Sequence, residues 1–133
     1  MSYLTQKTIK NKVSFSGIAL HSGLNVSVSL VPARPNTGII FKRVDLNKNN
    51  FVYPNFMNVT NTSLNTTIEN EFGVKISTIE HLMCALFGMG IDNVIVEIDN
   101  EEVPILDGSA KLFIDKIISA GIEVSNEPIK IIK

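Results

Sequence analysis

The sequence predicts an α+β fold, one mixed, mostly antiparallel β-sheet packed on two α-helices, and three observations carry that prediction. Strand-like segments follow one another through residues 5–69 before any helical period appears, which separates the element types instead of alternating them. Leu24, Val26, Val28 and Leu30 alternate with Asn25, Ser27 and Ser29, a strict period of two. Residues 77–93 and 110–120 carry apolar side chains at helical spacing. The 133 residues suit one domain with one real core.

The elements follow in order. Residues 5–15 mix polar and β-branched types and read as a first strand. Gly17 to Gly23 is bracketed by glycines and reads as a strand end entering a tight turn. The alternating strand 24–30 comes next, closed by Pro32 and Pro35, and residues 38–44 read as a third strand pairing back as a hairpin. Residues 45–62 are Asn-rich and irregular, with a short strand near 51–53, and 64–69 form another strand. Residues 69–73 make a turn, and Val74–Ile76 lead into the central helix.

In that helix Ile79, Leu82, Met83, Leu86 and Met89 or Gly90 form one apolar stripe, with Ser77 or Thr78 as cap and Gly88 and Gly90 as the stop. Residues 94–98 are apolar except for Glu97 and read as a central strand, followed by a turn at 99–102. Asp107-Gly108 makes a second turn, and Ser109 caps a helix over 110–120 with Leu112, Phe113, Ile114, Ile117 and Ile118 inward and Gly121 as its stop. Residues 129–133 read as a last strand that ends without a turn or polar tail.

Glu80 and His81 fall in the first turn of the central helix, the pattern by which a metal hydrolase sets a base beside its ion. Two readings of each residue stand. Ser77-x-x-Glu80 is also a capping box, and His81 is equally a structural histidine, since the position four residues on is Ala85 instead of a second His. The other histidine is His21, and the single cysteine, Cys84, reads as a small core residue. One cysteine excludes an internal disulfide and suits a reducing compartment. A net charge of −1 provides no basic field for nucleic acid or an acidic membrane surface. The N-terminal residues carry no apolar signal core, and no apolar run approaches the roughly 20 residues that span a bilayer. The expectation is a cytoplasmic protein.

Four motifs then stand in register: residues 17–23 (Gly-Ile-Ala-Leu-His-Ser-Gly), 76–82 (Ile-Ser-Thr-Ile-Glu-His-Leu), 90–93 (Gly-Ile-Asp-Asn) and 104–109 (Pro-Ile-Leu-Asp-Gly-Ser). In order and spacing they resemble the UDP-3-O-acyl-N-acetylglucosamine deacetylases, the zinc amidases of lipid A biosynthesis in Gram-negative bacteria. The resemblance covers nearly the whole chain. It implies an N-terminal domain, residues 1–133, of an enzyme with two similar domains and an active site between them. The second domain, absent here, is the expected partner, together with the UDP-3-O-acyl-N-acetylglucosamine substrate.

On that resemblance His81 is one of three protein ligands to Zn2+, and the other two, a His and an Asp four residues apart, belong to the second domain. Glu80 matches the general base that takes a proton from the attacking water. Leu20 and His21 match the loop lining the cleft, where His21 either contacts substrate or ligand shell or packs the loop. Leu64, Thr66 and Thr67 match a segment beside the sugar and the metal. Ser77, Asp92, Asn93, Asp107, Gly108 and Ser109 fall in motifs but read as turn and cap residues. Glu69 stands where the family carries a glycine, and Asn65 takes no assigned role. The expectation is that the 133-residue chain by itself is inactive. A non-catalytic α+β binding or structural module is the alternative, with Glu80 as cap and His81 as packing.

Overall fold

The computed structural model describes residues 4–55, 59–61 and 65–130. The fold is α+β. Its strands are β1 (Thr5–Ile9), β2 (Val13–Ile18), β3 (Asn25–Pro32), β4 (Ile39–Arg43), β5 (Phe51–Val52), β6 (Val59–Asn61), β7 (Thr66–Glu69), β8 (Lys75–Ser77), β9 (Val94–Ile98) and β10 (Ile122–Pro128). The helices are α1 (Glu80–Gly88), between β8 and β9, and α2 (Lys111–Ala120), between β9 and β10.

Among the described residues the main sheet has five strands in the order β2-β3-β9-β4-β5. A two-stranded ladder joins β1 to β10, and a three-stranded ladder joins β6, β7 and β8. All pairings of named strands are antiparallel except β4 with β9. The pleat divides the main sheet into a core face and a wet face. Val26, Val28 and Leu30 of β3, Phe41 of β4, Val52 of β5 and Val94, Val96 and Ile98 of β9 are buried. The opposite face carries Ser14 and Ser29, whose hydroxyls meet at 2.7 Å, and Lys42, whose Nζ lies 5.5 Å from the Phe51 ring centre.

The helices close the core. Leu82, Ala85 and Leu86 of α1 and Phe113, Ile117 and Ala120 of α2 are buried, and Phe113 meets Phe15 of β2 edge to face at 5.7 Å. Ile68 of β7 and Ile76 of β8 enter the same cluster, so the small ladder is fastened to the core and carries the entrance of α1. Each fully buried Leu, Ile or Phe contributes about 1.5–3 kcal/mol relative to exposure.

Several expectations are corrected. The expected first strand is two, broken where Lys10 and Asn11 donate to the carbonyls of Gly121 and Ala120 at the end of α2. The expected hairpin of the third strand with the alternating strand does not form, because β9 lies between them. The 33–38 connection crosses to the far side of β9, with Asn36 at φ 68° and Gly38 at φ 77°. A strand apolar on both faces is covered best in the middle of a sheet, which is where β9 sits. In α2, Leu112 and Ile118 are exposed, because the row facing the core is Phe113, Ile117 and Ala120, with Ile114 at its edge. The strand expected at 64–69 spans 66–69, and Leu64 lies outside the described residues. The last strand is β10, ahead of the expected 129–133, of which 131–133 also lie outside the described residues.

Candidate functional site

The entrance of α1 is set by tertiary contacts instead of a capping side chain. Ser77 belongs to β8: its N–H donates to the Glu101 carbonyl at 2.8 Å, and its own carbonyl accepts from Val103 N–H at 3.0 Å. Thr78 then takes a left-handed φ of 59°, which turns the chain from strand to helix. Such a conformation is unfavourable for a β-branched residue and needs support from its surroundings. The N-cap is Ile79, with no side-chain cap hydrogen bond.

The Ser77–Glu80 capping box is therefore not formed. Ser77 Oγ faces the Glu101 carbonyl at 3.5 Å, and Glu80 reaches out instead of back. Glu80 Oε2 accepts the Thr66 N–H at 2.8 Å, while Ile79 N–H donates to the Thr66 carbonyl at 3.3 Å. One peptide edge of β7 thus fastens both the helix start and its first carboxylate. Glu80 Oε1 is buried and has no hydrogen-bond partner among the described residues. A carboxylate oxygen kept from both water and donors is costly unless something else approaches it. His81 follows in the same turn, its side chain half-buried. Thr67 stands beside Thr66 on β7, and its hydroxyl donates to Asn65 Oδ1 at 2.7 Å. Glu69, at the far end of β7, is exposed, and Gly73 at φ 80° supplies the left-handed turn that follows.

A second carboxylate completes the neighbourhood, and the sequence reading passed over it as part of a polar turn. Glu102 is 4% exposed. Its oxygens accept from His21 N–H at 3.0 Å, Ser22 N–H at 3.1 Å and the Thr78 hydroxyl at 3.1 Å, and His21 Nδ1 lies 3.0 Å from Oε2. Because a carboxylate only accepts, Nδ1 carries the proton of that contact. The only sequence signal was position: Glu102 directly precedes the extended Val103-Pro104 piece. Leu20, one residue before His21, is exposed at the tip between β2 and β3.

Three of the four motifs converge here. The 104–109 segment lies on β2: Ile105 N–H donates to the Ile18 carbonyl at 3.0 Å, and Pro104 and Leu106 close over Gly17. Asp107 Oδ1 accepts from both the N–H and the hydroxyl of Ser109, and the Ser109 hydroxyl accepts the Lys111 N–H at 3.2 Å as α2 begins. The Ser109 hydroxyl bond, followed by its N–H, holds the Asp107 carboxyl below its ordinary pKa. Gly108 takes φ 78° in that turn. The fourth motif is elsewhere. Asp92 and Asn93 follow the C-terminal end of α1, about 13 Å along the nine-residue helix from Glu80. Asp92 Oδ2 accepts Lys7 N–H at 2.8 Å, and buried Asn93 accepts from Gly38 N–H at 2.9 Å and donates to Gln6 Oε1 at 3.0 Å.

The LpxC family model, described as UDP-3-O-acyl N-acetylglycosamine deacetylase, matches residues 6–133. The chain belongs to this family. Similar relatives named UDP-3-O-acyl-N-acetylglucosamine deacetylase come from Haemophilus influenzae (strain PittEE), 46% identical, and Histophilus somni (strain 129Pt), 47% identical. Another, from Pseudoalteromonas atlantica (strain T6c), is 50% identical. In each, 130 aligned residues cover 98% of this chain and 43% of the relative. The chain therefore spans less than half the length of the curated deacetylases it matches.

In this deacetylase-family chain, the described residues contain no group of three His, Cys, Asp or Glu side chains able to hold a metal ion. What they do hold is one half-buried histidine next in sequence to a carboxylate that is fixed at one oxygen and unpartnered at the other among the described residues. That donor set fits one corner of a tetrahedral site together with an adjacent base, and leaves the remaining donors to be supplied from outside it. No described helix is long and apolar enough to cross a membrane.

Proposed function

We propose that the chain is the N-terminal half of a zinc-dependent cytoplasmic deacetylase. The enzyme would hydrolyse the N-acetyl group of UDP-3-O-(3-hydroxyacyl)-N-acetylglucosamine to the free amine and acetate, in lipid A biosynthesis. The observation that carries this reading is the state of Glu80, the residue before His81: one oxygen is held by the Thr66 N–H and the other is buried and unpartnered among the described residues. The family match and the names of the relatives support the substrate.

In this reading His81 offers a ring nitrogen to Zn2+, and a His and an Asp of the second domain are the other protein ligands. Bound zinc supplies Lewis acidity, lowering the pKa of a water and polarising the acetamide carbonyl. Glu80 would take a proton from the attacking water as its oxygen adds to the carbonyl carbon. The C–N bond breaks, and the proton removed balances the one gained by the departing amine. The Thr66 N–H holds Oε2 in place, and Oε1 keeps both of its lone pairs among the described residues.

The test is acetate release by the purified full-length protein with its zinc. Glu80→Gln keeps an acceptor for Thr66 N–H but loses the base, and should lower kcat by about 10²–10⁴-fold. His81→Ala should lose bound zinc. Activity within twofold of wild type in Glu80→Gln would remove Glu80 as the base, and no acetate release by the full-length protein would leave the non-catalytic module as the better reading. The 133-residue chain without the remainder should release no acetate, and zinc-dependent release by it would overturn the requirement for a second half.

A further inference from the structure

We infer that Glu102 is a positioning residue for this site: its buried carboxylate fixes the 20–23 loop and the left-handed Thr78 to one another, and through them the placement of His21 and Glu80. The inference rests on the reading of Glu80 as base. It begins with a count of donors. Two backbone N–H groups, one hydroxyl and one ring N–H converge on two carboxylate oxygens, at 3.0–3.1 Å for the shortest contact of each. Buried carboxylates are rarely found in a small core, and one that is kept must be paired. Here every partner is a chain element of the site.

Each bond has a distinct effect. The Ser22 and His21 N–H bonds hold the loop backbone against residue 102, so the loop that follows β2 does not depend on its own exposed tip for shape. The Nδ1 bond sets the His21 ring plane and tautomer, which aims Nε2 away from the carboxylate. The Thr78 hydroxyl bond anchors a residue held at φ 59°, two positions before Glu80. The backbone repeats the connection, since Ser77 exchanges hydrogen bonds with Glu101 and Val103 on either side of Glu102. The strand carrying α1 and the loop carrying His21 thus share one anchor, and loss of that anchor should displace both.

Glu102→Gln tests this with almost no change in volume. The amide offers one acceptor oxygen: at the Oε2 position it leaves the Ser22 N–H without its partner, and at the Oε1 position it keeps only the longer, 3.3 Å contact of the His21 N–H and turns an NH2 toward the Thr78 hydroxyl and His21 Nδ1, so either orientation weakens the anchor of the loop. In the full-length protein, amide exchange at His21 and Ser22 should rise at least tenfold, while exchange in β3 and β9 stays as in wild type. The kcat should fall about 10–100-fold, the range for loss of a residue that orients metal-site groups, with KM within about threefold. Thr78→Val, which removes only the hydroxyl bond, should lower kcat in the same direction by a smaller factor, and it carries the test if Glu102→Gln does not fold. Unchanged exchange at residues 21 and 22, or a folded variant with kcat within twofold of wild type, overturns the inference. If wild-type protein releases no acetate, the catalytic reading fails, and the exchange measurement still decides whether Glu102 clamps the loop.

Discussion

Ser77 and Glu80 stand three residues apart and fit the capping pattern, yet each bonds to a different part of the chain. Ser77→Ala should therefore change the unfolding free energy by less than about 0.5 kcal/mol, where loss of a true N-cap costs about 1 kcal/mol, as a denaturant titration would show. Asn93 is the opposite case. Its side chain accepts from Gly38 N–H and donates to Gln6 Oε1 inside the core; Asn93→Ala takes the acceptor from Gly38 N–H, while Gln6 Oε1 keeps the Asn36 N–H, and should cost about 1–3 kcal/mol by the same measurement. Asp45 provides a pH test. The Arg43 side-chain hydrogen bond, chiefly, holds its carboxyl below the usual range. Its contribution is complete above the unfolded pKa and is lost as pH falls through the lower folded value. Arg43→Ala should remove that part of the acid loss of stability below about pH 4, and should bring the Asp45 titration back toward the model-peptide value. At this scale the sequence named Glu80 and His81, because neighbouring residues in one helical turn declare themselves by spacing. It could not name Glu102, whose partners lie 24 and about 80 positions away.

Among elements, the contact between β2 and the 104–109 segment decides how tightly the first and last motifs fit. A Cβ on Gly17 would lie 2.9 Å from Leu106 Cδ2 and 3.0 Å from Pro104 Cβ. The Pro104 ring has little room to yield, so Gly17→Ala should destabilise by about 1–3 kcal/mol, read from the denaturation midpoint at unchanged m-value. The alternating strand, both helices and the central place of β9 were legible, since period and two-sided apolarity are local properties. Strand partnership was not. The pairing of β4 with β9 instead of β3 depends on where a six-residue connection crosses the sheet, and the burial of α2 depends on which row meets Phe15. Leu112 and Ile118 are apolar without being internal, a distinction that only packing makes.

Taken as one body, the chain has a core on one side of its main sheet and a site at the edge where β7, α1, the 20–23 loop and Glu102 meet. Ile18, Leu20 and Leu24 stand exposed around that loop. In the 133-residue chain alone they are expected to promote self-association, visible by sedimentation velocity and relieved by Leu20→Ser with Leu24→Ser. The first and last described strands pair with each other. Thr5 lies opposite Pro128, and Ile129 N–H donates to the Leu4 carbonyl at 2.9 Å. The described residues thus begin and end side by side: in the 133-residue chain taken alone, a short Gly-Ser bridge could join residue 4 to residue 130, and fresh ends could be opened at the exposed Asn47-Lys48 turn. A circular permutant made in this way should retain the same topology, with the order in which its strands leave the ribosome changed and their final neighbours unaltered.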